Sequence, residues 1–325
     1  MKRIALLLSL LTSLGVASQP TAAADTTPTN GQIVFSRFDP AADDSFTYIL
    51  GADGTAHQLF PDFPSGSPNW SPDGRQVAVI SGLGQPCSPT TCTGHTVIID
   101  PSDGSWRALA PAGMPQVGTF CSLWSPNGQL FACEGGNDSD TSVNGIYLVR
   151  SSDGGGLTRI TDAGGMADVP IAWSPDGSQL AFGRWDFGDC SKRSAIYVVN
   201  VDGTDEHRIT PWGFCDNHGD WSNDGKWIVF AKPGPNSIFV VHPDGTGLAK
   251  VPLATPGQVF AGDVSWSPDG TKLVMLLFVS TGNGSGDYHD YQEGIAVAMA
   301  DGTHLRFVTI SPTFDHEADW GAGPS

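Results

Sequence analysis

The chain has 325 residues and a formal net charge of −18, and 39% of its residues are hydrophobic while 15% are charged. This apolar fraction excludes an intrinsically disordered chain, because disordered chains have too few apolar residues to build a core. The negative charge argues against binding to nucleic acid or to anionic membrane surfaces, since both carry negative phosphate groups. It either keeps the protein soluble or favours a basic partner.

The first 24 residues have the pattern of a secretory signal peptide. Lys2 and Arg3 precede an apolar run over residues 4–16, and alanines at positions 22–24 offer a cleavage site. The run is shorter than the roughly 20 residues that cross a bilayer, so we expect no membrane insertion. We therefore expect residues 1–24 to be removed and residues 25–325 to form a secreted or periplasmic protein.

Three short strands are predicted next, over residues 31–37, 45–50 and 55–60. A repeated motif then begins, which reads Trp-Ser-Pro-Asp-Gly in its most regular copies. Its tryptophans recur at intervals of 45–54 residues, and the sixth copy is degenerate. They are Trp70, Trp124, Trp173, Trp221, Trp266 and Trp320. Proline fits the second position of a tight turn and glycine the fourth, so each copy predicts a hairpin turn after the Trp strand.

A second motif, Asp-Gly, alternates with the first. Its six copies lie at residues 53–54, 103–104, 153–154, 202–203, 244–245 and 301–302. The strands that follow the Trp turns are short apolar runs, as at residues 77–80 and 180–182, which is typical of strands buried on both faces. Four strands in about 50 residues make one blade of a β-propeller.

The chain is therefore predicted to be an all-β protein, a six-bladed β-propeller of four-stranded blades. Residues 316–320 supply a Trp strand at the C-terminal end, and residues 31–60 supply the other three strands of the same blade. Sharing this closing blade between the two ends hides the edge strands that an open arc would expose. We expect the propeller to be a monomer.

The repeat resembles the WD40-like PD40 repeat of TolB-type β-propellers, from about residue 31 to the C-terminus. TolB itself carries a further N-terminal α/β domain, which we do not expect here. The resemblance implies that the Trp strand is innermost and that both kinds of turn share one rim. The opposite rim, the variable rim, then carries the loops between strands 2 and 3 and between blades. Their unequal lengths indicate a binding face.

All six cysteines fall on the variable rim. Export to an oxidising compartment favours disulfides for an even number of cysteines, and the spacing is poor for zinc. Six cysteines allow 15 pairings. Proximity in the predicted blades favours three pairs, which are Cys87–Cys92, Cys121–Cys133 and Cys190–Cys215.

Acidic residues and histidines stand just before several Trp strands, in residues 216–220 and 315–319 above all. If these strands line the channel, the groups ring its mouth. The candidate binding residues are Asp168, Asp216, His218, Asp263, Asp315, His316 and Glu317. Three uses of these residues are open. The acids five residues before Trp, which are Asp168, Asp216 and Asp315, cap backbone groups of the next blade. Alternatively, the group binds a divalent cation or a basic peptide, or paired acids perform acid–base chemistry.

The function favoured by the sequence is a non-enzymatic scaffold that binds a protein or peptide partner through the variable rim, with no required cofactor. The Gly-x-Ser-x-Gly elbow of the propeller peptidases is absent. The alternative is a propeller polysaccharide lyase or another metal-assisted carbohydrate-active enzyme. A lyase needs several histidines in one channel, and only His218, His316 and the more distant His289 fit that requirement.

Overall fold

A computed structural model describes most of the chain after the expected signal peptide. The described ranges are 28–51, 53–60, 63–81, 95–109, 117–137, 139–186, 193–214, 218–232, 234–235, 237–253, 259–280, 291–311 and 313–323.

Each blade begins with an inner strand that ends at or near the repeat tryptophan. The inner strands are β4 (Gly66–Trp70), β8 (Val117–Trp124), β12 (Ala167–Trp173), β16 (Gly219–Trp221), β20 (Val259–Trp266) and β24 (Asp315–Ala322). The second strands follow the Trp turns, except in the closing blade, where the second strand is the first strand of the described residues. They are β1 (Asn30–Asp39), β5 (Val77–Ser81), β9 (Leu130–Gly136), β13 (Gln179–Trp185), β17 (Ile228–Ala231) and β21 (Lys272–Ser280).

The third strands precede the Asp-Gly turns, and the short outer strands follow them. The third strands are β2 (Asp44–Leu50), β6 (His95–Ile99), β10 (Gly145–Arg150), β14 (Ala195–Asn200), β18 (Ile238–Val241) and β22 (Tyr291–Met299). The outer strands are β3 (Ala56–Gln58), β7 (Trp106–Leu109), β11 (Thr158–Arg159), β15 (His207–Arg208), β19 (Ala249–Lys250) and β23 (Arg306–Phe307).

These strands form six four-stranded antiparallel sheets, which confirms the predicted propeller. Blade 1 has the order β24-β1-β2-β3, so both ends of the chain share it, and Ile33 pairs with Trp320. Blades 2 to 6 follow in chain order. Within the described ranges, the one helical element is a 3-10 turn at Thr141–Val143, and no helix there has the length and apolarity to cross a membrane.

The Trp-Ser-Pro-Asp-Gly turn is held together by its own side chains. In blade 2, the Ser71 hydroxyl donates to Asp73 Oδ1 at 2.7 Å and accepts from the backbone N–H of Gln76 at 2.9 Å. Gly74 closes the turn with a φ of 67°, a left-handed conformation that glycine adopts without steric cost. The same serine contacts recur in the following blades, so the motif specifies the hairpin locally.

The hydrophobic core lies between blades. Six clusters of buried apolar residues occupy the six interfaces between neighbouring blades. Between blades 3 and 4, for example, Trp173 and Phe182 pack against Ala132 and Ile146. Each blade therefore has two buried faces, which is why its central strands read as continuous apolar runs.

The degenerate sixth motif has a steric cause. Gly321 follows Trp320 at the position where the other copies have serine. A Cβ atom at Gly321 would lie 2.5 Å from Cγ of Trp70 in the next blade. The chain closes its ring at this point, and the close approach of the two blades excludes the serine side chain.

Candidate functional site

A cavity of about 410 Å³ lies at the axis of the ring, and all six inner strands contribute to its lining. This confirms that the Trp strands are innermost and line the channel. Five carboxyl groups and one imidazole line it, and these described lining residues include no lysine or arginine. The ionisable residues are Glu134, Asp220, Asp263, Glu317, Asp319 and His218.

Three inner strands have an unusual backbone at the residue three before the repeat tryptophan. Ser67, Asp263 and Glu317 have φ values of 49°, 48° and 54°, which is uncommon for residues other than glycine. Each lies at an irregularity of strand pairing in β4, β20 or β24. Such a conformation costs on the order of 1–3 kcal/mol and is typical of functional sites.

A series of ion-pair and hydrogen-bond contacts joins four consecutive blades around the mouth of the channel. His218 Nδ1 lies 3.0 Å from Asp263 Oδ1, and Asp263 Oδ2 accepts from the backbone N–H of Glu317 at 2.8 Å. Glu317 in turn accepts from the backbone N–H of Ser67 at 2.6 Å and from its hydroxyl at 3.0 Å. We call these four residues the mouth network. It fixes the positions of two carboxylates across three blade interfaces.

Glu317 is the most heavily bonded member of the mouth network. It also accepts from the Ser36 hydroxyl at 2.9 Å, and His316 Nδ1 lies 3.4 Å away. Burial raises the pKa of Glu317, but the His316 and His218 imidazoles and the bonds from Ser67 and Ser36 outweigh burial and lower its pKa. Glu317 is therefore a carboxylate at neutral pH.

Asp220 and Asp319 lie deeper, one residue before their tryptophans, and they cap the next blade. Asp220 accepts from the backbone N–H groups of Trp221 at 2.7 Å and Trp266 at 2.9 Å, and Asp319 accepts from that of Trp70 at 2.7 Å. Burial raises the pKa of Asp220 to about 7, and burial also raises the pKa of Asp319. The capping that was one open use of the acids five residues before Trp is thus performed by acids one residue before Trp, whereas Asp168 and Asp315 bond arginines of their own blades.

Glu134, on the second strand of blade 3, also faces the cavity. It makes no hydrogen bond to the described residues, and burial, followed by the charge of Asp168, raises its pKa to about 7. Glu134 and Ser67 are not among the candidate residues expected from the sequence. Counting back three residues from each repeat tryptophan would have found Ser67, but no motif distinguishes Glu134.

Asp168 and Asp315, two of the candidate residues, lie away from the cavity. Each is fully buried in its blade and makes a bidentate pair with an arginine on the second strand. Asp168 bonds Arg184 at 2.6 and 2.7 Å, and Asp315 bonds Arg37 at 2.6 and 2.9 Å. Both arginines stack over a Phe and a Tyr of their own blade, so blades 1 and 4 share one structural module.

The structure therefore brings together His218, Asp263, Glu317 and, next to them, His316. Asp216 lies outside the described residues, as does His289. Within the described part of the chain, no group of three or more His, Cys, Asp or Glu side chains is arranged to hold a metal ion.

One predicted disulfide is present. Cys121 on β8 and Cys133 on β9 are bonded, with an S–S distance of 2.08 Å. The other four cysteines, at positions 87, 92, 190 and 215, lie outside the described residues, so their pairings stay predictions.

The sequence matches the family model of the TolB β-propeller domain, PD40, over residues 112–289. The uncharacterized protein Atu1656 of Agrobacterium fabrum is 26% identical over 225 residues, which cover 65% of this chain and 65% of that protein. A TolB homolog of Chlorobium luteolum is 31% identical over 124 residues, which cover 38% of this chain and 27% of the homolog. The chain thus spans less than two thirds of either relative.

Many solved structures share the fold, among them the following two. The putative TolB of Agrobacterium tumefaciens has a TM-score of 0.64 at 20% identity, covering 87% of this chain and 89% of that one. TolB of Acinetobacter baumannii has a TM-score of 0.63 at 20% identity, covering 89% of this chain and 66% of that one. At this identity the likeness establishes architecture and leaves function to the site itself.

Proposed function

Since this chain belongs to the PD40 family of TolB β-propeller domains, we propose that it is an exported scaffold that binds a protein or peptide partner. The partner binds at the variable rim and places a basic side chain in the channel mouth. One observation carries this proposal: five carboxyl groups face a cavity whose described lining contains no lysine or arginine.

The charge of the cavity favours a cationic group. The carboxylates of Asp263 and Glu317 contact uncharged backbone and hydroxyl donors and histidine side chains. A lysine or arginine of the partner would therefore be the first permanently charged group to bind them. Charge-assisted hydrogen bonds are about twice as strong as neutral ones. An ammonium or guanidinium group also lowers the cost of burying several carboxyl groups together.

The mouth network is prepared for binding before a partner arrives. Its side chains are fixed across three interfaces, so a partner does not have to order them, which otherwise costs about 0.5–1.5 kcal/mol for each immobilised side chain. The disulfide between Cys121 and Cys133 supports the placement of the protein in an oxidising, extracytoplasmic compartment.

The experiment compares binding of a lysine-rich and a glutamate-rich peptide by calorimetry. The test variant is Asp263→Asn with Glu317→Gln. The matched control is Asp202→Asn with Asp301→Asn, which removes the same charge from exposed Asp-Gly turns on the opposite rim. We expect the lysine-rich peptide alone to bind, and the mouth variant alone to lose at least tenfold in affinity.

Two outcomes would change the assignment. Equal losses in both variants mean that the overall negative charge attracts the peptide without a specific site. Loss confined to the control places the binding surface on the Asp-Gly rim.

A melting experiment tests for a divalent cation at the same site. A rise in melting temperature with Ca²⁺ or Mn²⁺ that only the mouth variant lacks would add a divalent cation to the site.

A further inference from the structure

Ser45, His316 and Glu317 form a second series of polar contacts, one hydrogen bond and one ion pair, which no motif in the sequence indicates. Ser45 Oγ lies 3.1 Å from His316 Nε2, and His316 Nδ1 lies 3.4 Å from Glu317 Oε2. Ser45 is half-buried at the start of β2, beside exposed residues of the β1–β2 turn. The imidazole thus contacts a hydroxyl through one nitrogen and a carboxylate through the other.

The backbone explains how two consecutive residues can contribute to one series. Neighbouring side chains on a strand point to opposite faces. The left-handed φ of 54° at Glu317 interrupts this alternation, so the His316 and Glu317 side chains meet. Phe314 stacks on the His316 ring with centroids 4.9 Å apart, and Ser36 and Ser67 hold the carboxylate. The imidazole is therefore fixed by its neighbours.

We propose that Ser45 is a nucleophile activated by His316 and that it accepts acyl groups from small activated esters. With the proton on Nδ1, which faces the Glu317 carboxylate, His316 accepts the Ser45 proton at Nε2. The new bond joins Oγ to the ester carbonyl carbon, and the bond to the leaving alcohol breaks as His316 returns the proton to that alcohol. Water then attacks the acyl-serine by the same route and releases the acid. Glu317 is a positioning residue in this step.

The structure also limits the substrate. The backbone N–H of Ser45 donates to Asp44 Oδ1 at 2.8 Å, so it is engaged and does not stabilise an oxyanion. Loss of one oxyanion donor costs a serine hydrolase about 10²–10³ in kcat. We therefore expect slow turnover, confined to esters with good leaving groups. Neither Ser45 nor His316 lines the channel cavity, and Glu317 is the residue that this series shares with the mouth network.

The test is labelling of the purified protein with a fluorophosphonate, followed by peptide mass spectrometry, with hydrolysis of p-nitrophenyl acetate as a second measurement. Fluorophosphonate bonds its phosphorus to an activated serine Oγ and releases fluoride. We expect labelling at Ser45, no labelling in Ser45→Ala, and a rate at least about 10²-fold lower in His316→Asn. The matched controls, Ser102→Ala and His304→Asn, change an exposed serine and histidine outside the series and should label Ser45 at the wild-type rate.

The dependence of labelling on pH separates positioning from a merely structural role. Labelling of the wild type should be faster at higher pH, because only a neutral imidazole accepts the Ser45 proton. Glu317→Gln keeps the size of the side chain and removes its charge, so we expect slower labelling of Ser45 in protein that is still folded. No labelling of folded protein, labelling at another serine, or labelling of Ser45 that is indifferent to His316→Asn would overturn the proposal.

Discussion

Glu317 in blade 1 accepts a 2.6 Å hydrogen bond from the backbone N–H of Ser67 in blade 2, across 250 residues of sequence. The bond joins the C-terminal strand of the closed ring to the first inner strand after the N-terminal segment. Both residues have left-handed backbone and both line the channel cavity. Ring closure and the geometry of the channel mouth therefore depend on one another.

Glu134→Gln should stabilise the protein at and above neutral pH. Burial raises the pKa of Glu134 to about 7 in the folded state, above its unfolded value of 4.5. The protonated Glu134 side chain is tolerated in the folded state, so its favourable effect on stability is fully present below pH 4.5. The effect is lost as the pH rises through about 7, because the buried carboxyl group then ionises. The variant removes this ionisation without losing a hydrogen bond. We expect a gain of about 1–3 kcal/mol at pH 8 and little change at pH 4, measured by urea unfolding. An equal effect at both pH values would contradict this.

Asp315→Asn should destabilise the fold strongly. The change leaves the Arg37 guanidinium, which is largely buried, without its anion, and breaking a buried pair costs about 3–5 kcal/mol. The matched control is Asp153→Asn, which breaks the Arg150–Asp153 pair, whose side chains are 54% and 56% exposed. An exposed pair contributes about 0–1 kcal/mol. Thermal and urea unfolding measure both, and similar losses would show that Asp315 is not a structural anchor.

Gly321→Ser restores the repeat consensus and should nevertheless destabilise the protein. The new Cβ would lie 2.5 Å from Trp70 Cγ, and overpacking of a core usually costs about 1–3 kcal/mol. The loss would appear as a lower melting temperature. Ser71→Gly, the reverse change in blade 2, also loses stability because it removes the turn contacts of that serine. A more stable Gly321→Ser variant would refute the steric explanation.

Non-reducing peptide mapping of protein purified from the exported fraction should find Cys121 linked to Cys133. The same map tests the predicted pairs at positions 87 and 92 and at 190 and 215. Replacing Cys121 and Cys133 by alanine should cost about 2–4 kcal/mol, because the crosslink restricts the unfolded chain. Free thiols in the freshly exported protein would contradict export to an oxidising compartment.

The sequence alone determined the architecture. The Trp-Ser-Pro-Asp-Gly turns are stabilised by contacts within a few residues, so each copy specifies its hairpin wherever it occurs. Six copies at nearly constant spacing then require six blades, and the missing Trp strand at the N-terminal end requires closure by Trp320. The Cys121–Cys133 pair was also predictable, because the two residues flank one hairpin at similar distances from its turn.

Only the tertiary structure decided which acids form the site. Asp315 and Glu317 are two residues apart and look equivalent in sequence, yet one is buried against Arg37 and the other faces the channel. The left-handed backbone at Glu317 interrupts the alternation of the strand, and nothing in the local sequence requires this conformation. The partners that hold Glu317, Ser67 and Asp263, come from other blades. A site assembled across blade interfaces follows from ring closure, because contacts between distant parts of the chain form only when the ring closes.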